Sequence, residues 1–157
     1  MLMSQFSILK QVKVNDMFLT ERELKETFWE NYNYKGRAIK YQFEAPIRDG
    51  AADLITIEKY QGDYQINAFE FKLSDIKKAL LQAKANSAFV NKSWIVIPDE
   101  KAQLIKERYE SYLEEQKYIG VITVAEGGRW MMIHRPYFRN EIMLNKTLVN
   151  MMMGKAY

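Results

Sequence analysis

Asp53, Glu70 and Lys72 are the residues whose types and spacing bear most directly on chemistry. Glu70 and Lys72 belong to the alternating run Ala68-Phe69-Glu70-Phe71-Lys72, and Asp53 closes the tripeptide Ala51-Ala52-Asp53 upstream of it. Side chains two apart along a strand leave the same face, so the run sets a carboxylate beside an ammonium while Phe69 and Phe71 point the other way. Charged groups on an otherwise apolar strand are costly to bury unless they pair, hydrogen-bond or bind a metal ion. A second carboxylate from the preceding strand suits an oxygen-ligand cation such as magnesium, and the pattern points to a hydrolytic site.

Strands and helices must hold these groups in place. Thr20-Glu21-Arg22-Glu23 is a capping box that opens a helix from Phe18 to about Tyr32, with Leu19, Leu24, Phe28 and Trp29 at roughly helical intervals. Alternating side chains predict a first strand over Arg37 to Ile47, a second over Ala51 to Tyr60 and a third over Tyr64 to Leu73. Arg48-Asp49-Gly50 and Gln61-Gly62-Asp63 supply the turns between them, which makes a meander. Ser74 is placed to cap the next helix, with Asp75 in its first turn. Ile76, Ala79, Leu80 and Ala83 form its apolar stripe, and Asp75, Lys78, Gln82 and Asn86 stack along a polar face. The apolar run Ser93-Trp94-Ile95-Val96-Ile97, ended by Pro98, reads as a central strand covered on both sides. A helix over Glu100 to Gln116, strands over Ile119 to Ala125 and Arg129 to Ile133, and a closing helix over Phe138 to about Met153 complete the order. The 157 residues are expected to form one α/β domain with a mixed central sheet flanked by helices.

In residues and in order, the stretch from Thr20 to Pro98 resembles the PD-(D/E)xK nuclease superfamily. Asp53 is similar to its first acid on the second strand, and Glu70-Phe71-Lys72 to its E-x-K element on the third. Within the superfamily, the run from Ala68 to Asp75, followed by Ala79-Leu80-Leu81-Gln82-Ala83, is especially similar to small stand-alone nuclease-like proteins of the DNA-repair type and also to some encoded by mobile elements. Two alanines, not a proline, precede Asp53, a departure from the fuller pattern. The resemblance implies a restriction-endonuclease-like core of order α-β-β-β-α-β and a metal-dependent nuclease acting on DNA, in repair, recombination or mobile-element biology; RNA stays open as a substrate. It implies that Asp53, Glu70 and the main-chain carbonyl of Phe71 hold magnesium or manganese. Lys72 would orient the attacking water and neutralise charge on the phosphate, and Gln82 would support the site. A further acid is expected from Glu44 on the first strand or from Glu26, Glu21 or Glu23 on the first helix. The rival expectation is a non-catalytic DNA-binding or protein-interaction module that keeps the fold.

An E-x-K strand alone is ordinary surface, since glutamate and lysine often share the solvent face of an antiparallel strand. The coincidence with Asp53, the apolar opposite face, Gln82 and the strand ending at Pro98 is what raises it above that. Lys78, Lys84 and Arg135 are the candidate nucleic-acid contacts, with Lys77, Lys35, Arg37, Lys40 and Arg139 in reserve. Taken singly, each reads first as solvated charge. Trp29, Trp94 and the tyrosines read as packing, and Met131-Met132 and Met151-Met152-Met153 as core filling or a subunit contact. A homodimer is an expectation by analogy with small nucleases that cut both strands.

Composition excludes several classes. A net charge of +3 permits nucleic acid as a partner without requiring it. With no cysteine and His134 as the sole histidine, thiolate and structural zinc sites are ruled out. The seven glycines form neither a P-loop nor a dinucleotide fingerprint, and no G-x-S-x-G elbow is present. No stretch matches a membrane span, and the opening Met1-Leu2-Met3-Ser4-Gln5-Phe6 lacks the layout of a secretion signal; an intracellular, cytoplasmic location is expected.

Overall fold

The structure, a computed structural model, describes residues 18–154; the opening hexapeptide read above lies outside the described residues. Helix α1 (Glu21–Tyr32) is followed by strands β1 (Ala38–Ala45), β2 (Ala52–Tyr60) and β3 (Asp63–Phe71), helix α2 (Ile76–Ser87) and strand β4 (Lys92–Pro98). A helical segment over 99–115, α3, with a π-helical stretch at Ile105–Tyr109, leads to β5 (Ile119–Val124), β6 (Trp130–His134) and α4 (Lys146–Met152). Among the described residues the six strands form one mixed sheet in sequence order. β1, β2 and β3 are the expected antiparallel meander, β4 and β5 run parallel to β3, and β6 is antiparallel to β5.

Helices cover both faces. Leu24, Phe28 and Tyr32 of α1 pack on Leu54, Phe69, Phe71, Trp94, Val96 and Ile122. On the opposite face, α2 and α3 bury Ile76, Ala79, Leu80, Ala83, Ile105 and Leu113 against Ile95, Ile97 and Val121. α4 seats Leu148 and Met151 over Ile55, Ile57, Ile66 and Ala68. The unbroken apolar character of β4 follows, because Trp94 and Val96 face α1 while Ile95 and Ile97 face α2.

Several boundaries differ from the sequence reading for identifiable reasons. At the start of α1, Thr20 caps Glu23, but Phe18 and not Leu19 is the buried residue; the Leu19 amide is held by the Glu23 carboxylate and its side chain is exposed. α2 is capped by Asp75, whose carboxylate accepts from the Lys78 amide, so Ser74 lies one residue outside. The closing helix is much shorter than Phe138 to Met153. Amides of Tyr137, Arg139 and Met143 bond to the carbonyls of Lys117, Asn91 and Ala88, which keeps that stretch extended until Asn145 caps α4. Of the methionine runs, Met151 is core, while Met131, Met132, Met152 and Met153 are exposed.

Trp94 of β4 and Gly120 of β5 are register partners. The Trp94 indole is buried and donates to Asn67 at 3.0 Å. A Cβ on Gly120 would come within 2.7 Å of the Trp94 ring and 2.6 Å of Pro136. Gly120→Ala is therefore expected to lower stability by about 1–3 kcal/mol through overpacking, read as a reduced denaturation midpoint.

Candidate active site

The site lies where β2 begins and β3 ends. The last register pair in that direction is Leu54 with Phe69, and one further step of the same register sets Asp53 opposite Glu70. Asp53 adds no further main-chain pair to this ladder; instead its carboxylate Oδ2 accepts from the Phe71 amide at 2.8 Å.

Glu70 is only 1% exposed. It faces the α2 side of the sheet, where Asn86 donates to its Oε2 at 2.8 Å and the Arg48 guanidinium donates to the same oxygen at 3.2 Å. Arg48 also donates to Asn86 Oδ1 at 2.6 Å and to the carbonyls of Asp49 and Ala51 at 3.0 and 3.2 Å. The loop of Arg48 wraps its own guanidinium, and Gly50, with φ +81°, makes the wrap feasible: a Cβ there would meet Arg48 Nη1 at 3.0 Å. Burial, and then the negative charge of Asp53, push the Glu70 carboxyl up to about 7, against the opposing effects of Asn86 and Arg48.

Each carboxylate thus has one oxygen committed to the protein. Both donors to Glu70 end on Oε2, which leaves Oε1 for a further ligand, and Asp53 commits Oδ2 and leaves Oδ1. The residues fit a hard divalent cation that takes one or two carboxylates and keeps several waters. Among the described residues, no three acidic or histidine side chains converge as a metal-binding group.

On the α1 side a cavity of about 540 Å³ opens onto Asp53 and Phe71, with Glu21, Glu26 and Glu44 on its walls beside Arg22, Lys25, Trp29 and Phe43. The two acids expected as additional ligands, Glu44 and Glu26, therefore share a cavity with Asp53, although Glu26 is paired with Arg22 at 3.0 Å. Glu44 has φ +51°, a left-handed backbone at the end of β1. Glu70 is not on the cavity wall. Glu23 is occupied with the helix start.

Lys72 follows the last residue of β3; its amide donates to Val96 O at 3.2 Å and its Nζ lies 3.7 Å from Glu21 Oε2 on α1, so the ammonium is not paired with Glu70 as the strand alternation predicts, Arg48 and Asn86 holding that carboxylate instead. Gln82 keeps its Oε1 buried without a hydrogen-bond partner, one turn before Asn86 on α2. Lys78 and Lys84 are exposed on that helix. Arg135 is exposed and stands near Lys92 at the opposite end of β4, where its charge helps lower the Lys92 pKa after burial does.

Sequence reasoning missed the two partners of Glu70. The polar face expected for Asn86 is not where it lies: it is fully buried, since a residue three beyond Ala83 and seven beyond Ala79 returns to the sheet side of the helix. Arg48 was expected only as part of a turn. The signal for it is physical: a buried carboxylate next to another acid demands a cation, and Arg48 is the nearest in sequence to Asp53. A second buried network, also unanticipated, joins Glu58 to Tyr32 and Thr56 at 2.7 Å each on the α1 face, with burial raising the pKa of both Glu58 and Tyr32.

No family profile matches the chain, and no curated protein or solved structure is significantly similar to it.

Removing one partner of a buried ion pair leaves the other charge uncompensated, so Arg48→Ala is expected to cost about 3–5 kcal/mol of stability. Asn86→Ala should cost about 1–3 kcal/mol. In a Glu70→Gln background the Arg48→Ala penalty should shrink markedly, a coupling that denaturant titration of the double-mutant cycle measures. Because Glu70 holds its proton more tightly folded than unfolded, its contribution to stability is fully present below pH 4.5 and is lost as pH rises to about 7. Urea titrations across that range in chelator should show this loss in the wild type and not in Glu70→Gln.

Proposed function

We propose that this protein is a metal-dependent deoxyribonuclease with a restriction-endonuclease-like core of the PD-(D/E)xK type, acting in DNA repair, recombination or mobile-element biology. The observation that carries this reading is the pair Asp53 and Glu70 on facing register positions at the end of adjacent strands, each with one carboxylate oxygen held by a protein donor and the other without one. The element order α1-β1-β2-β3-α2-β4, with β4 parallel to β3, supports the fold part of the reading.

Asp53 Oδ1, Glu70 Oε1 and the Phe71 carbonyl would hold magnesium or manganese. Such an ion, when bound, neutralises phosphate charge and lowers the pKa of water. The protein's own groups then divide the remaining work. Lys72, tethered to Glu21 by a loose ion pair at 3.7 Å, is long enough to exchange that carboxylate for a phosphate oxygen. The Phe71 amide fixes the Asp53 carboxylate, and Asn86 and Arg48 fix that of Glu70, so neither must reorganise on binding. Gln82 offers a buried acceptor that a water proton would satisfy.

One observation favours a second reading, a non-catalytic DNA-binding or interaction module. Glu70 already has a cation, Arg48, as its ion-pair partner. Above about pH 7, where Glu70 is ionised, two carboxylates against one guanidinium still leave a net negative charge for a divalent ion to neutralise, as the nuclease reading requires.

Purified protein incubated with linear, nicked, branched and single-stranded DNA should cleave in magnesium or manganese and not in chelator. Glu70→Ala and Lys72→Ala should each lower the rate by roughly 10²- to 10³-fold. Because the metal competes with the Glu70 proton, cleavage should rise with pH through about 7 and then level off. Binding without cleavage in every metal would favour the module.

A further inference from the structure

The lining of the cavity beside Asp53 is of two kinds, the acidic residues Glu21, Glu26, Glu44 and Asp53 and the aromatic side chains of Trp29 and Phe43. Trp29 of α1 and Phe43 of β1 meet edge to face, with centroids 5.5 Å apart, and Tyr41, half exposed, extends the cluster with its ring 4.7 Å from Trp29. Lys25 stands over Phe43, its Nζ 5.5 Å from the ring centroid.

We propose that this cavity receives one unpaired nucleobase, stacked on the Trp29 and Phe43 wall, so that the substrate is a nucleic-acid strand that is locally single-stranded. The inference rests on the nuclease reading of the same site and names the form of nucleic acid it takes.

Size, shape and charge converge on a base. A volume of about 540 Å³ suits a nucleotide-sized ligand. An intact duplex hides the flat faces of its bases and offers only backbone and groove edges, for which an aromatic wall has no use. Unpaired bases expose those faces, and aromatic side chains hold them with little regard to sequence.

Charge argues the same way. Four carboxylates, Glu21, Glu26, Glu44 and Asp53, line the cavity against Arg22 and Lys25, and Arg22 is already paired with Glu26. A duplex laid across that rim would press two phosphate backbones against an acidic surface. An inserted base is neutral, and its exocyclic amino groups are donors that carboxylates accept from. Glu44, held at φ +51°, is turned onto the cavity wall at the expense of backbone strain, as expected of a residue placed for a ligand. Lys25, whose ammonium stands over the Phe43 ring, would give up that position to a stacked base and turn to the phosphate that follows it.

Fluorescence anisotropy with a labelled 15-nucleotide strand of alternating adenine and cytosine, and with the labelled 15-base-pair duplex it forms with its complement, in calcium and in chelator, tests this. The single strand should bind about tenfold more tightly than the duplex and quench tryptophan emission. Phe43→Leu and Trp29→Leu keep apolar volume but remove a ring; each should weaken single-strand binding roughly tenfold and leave duplex binding unchanged, with circular dichroism verifying the fold. Equal or tighter duplex binding, or single-strand affinity unchanged in both variants, overturns the inference. Magnesium cleavage of the same oligonucleotides separates the two claims. Cleavage with no strand preference and no effect of the ring variants sinks the stacking site and leaves the nuclease standing. Ring-dependent single-strand binding without cleavage in any metal upholds the stacking site and sinks the nuclease.

Discussion

Two carboxylates on facing register positions at one end of the sheet, Glu70 buried and Asp53 half-buried, with one guanidinium bonded to Glu70, form the constraint from which the rest of the site follows. Glu70 is almost fully buried, Asp53 takes the register position opposite it, and Arg48 supplies the positive charge paired with Glu70. Such a cluster is tolerable only if every committed lone pair is satisfied, and the protein does this with Asn86, with the Phe71 amide, and with a loop that folds its carbonyls onto Arg48. What it leaves over is a negative charge and two oxygens. That remainder is what a divalent cation would complete.

The surrounding fold exists in the form needed to keep the cluster in register. The β1–β2–β3 meander fixes Asp53 and Glu70 on facing positions, and a slip of one residue would turn Glu70 onto the α1 face among Phe28, Phe69 and Phe71. α2 lies against β3 and β4 through small residues, Ala79 and Ala83, which brings Asn86 near enough to donate to Glu70. Ser93, whose hydroxyl donates to Ala83 O at 2.6 Å, ties the helix to β4 from the other side. The α1 face is aromatic instead, with Phe28 in contact with Tyr32, Phe69, Phe71 and Trp130. The cavity beside Asp53 opens at the edge of that packing.

Local chemistry made much of this legible in the sequence. Thr20 and Glu23 announced α1, alternating side chains announced the three strands, and the apolar run before Pro98 announced a central β4. Asp53 and Glu70 could be paired in advance because register on a sheet is periodic. Long-range contacts were not legible. Asn86 looked solvated because only the approach of α2 to β3 decides which of its faces is covered. Arg48 looked like a turn residue because its partner lies 22 positions away. The stretch before α4 has a helical pattern, yet its amides find carbonyls on other loops, and that pairing overrides local preference.

Crystals of the protein soaked in manganese, with data collected for anomalous scattering, measure the central claim most directly. The account predicts an anomalous peak between Asp53 Oδ1 and Glu70 Oε1, with Arg48 and Asn86 still bonded to Glu70 Oε2. Absence of a peak there in saturating manganese, with the carboxylates in their present positions, would contradict it.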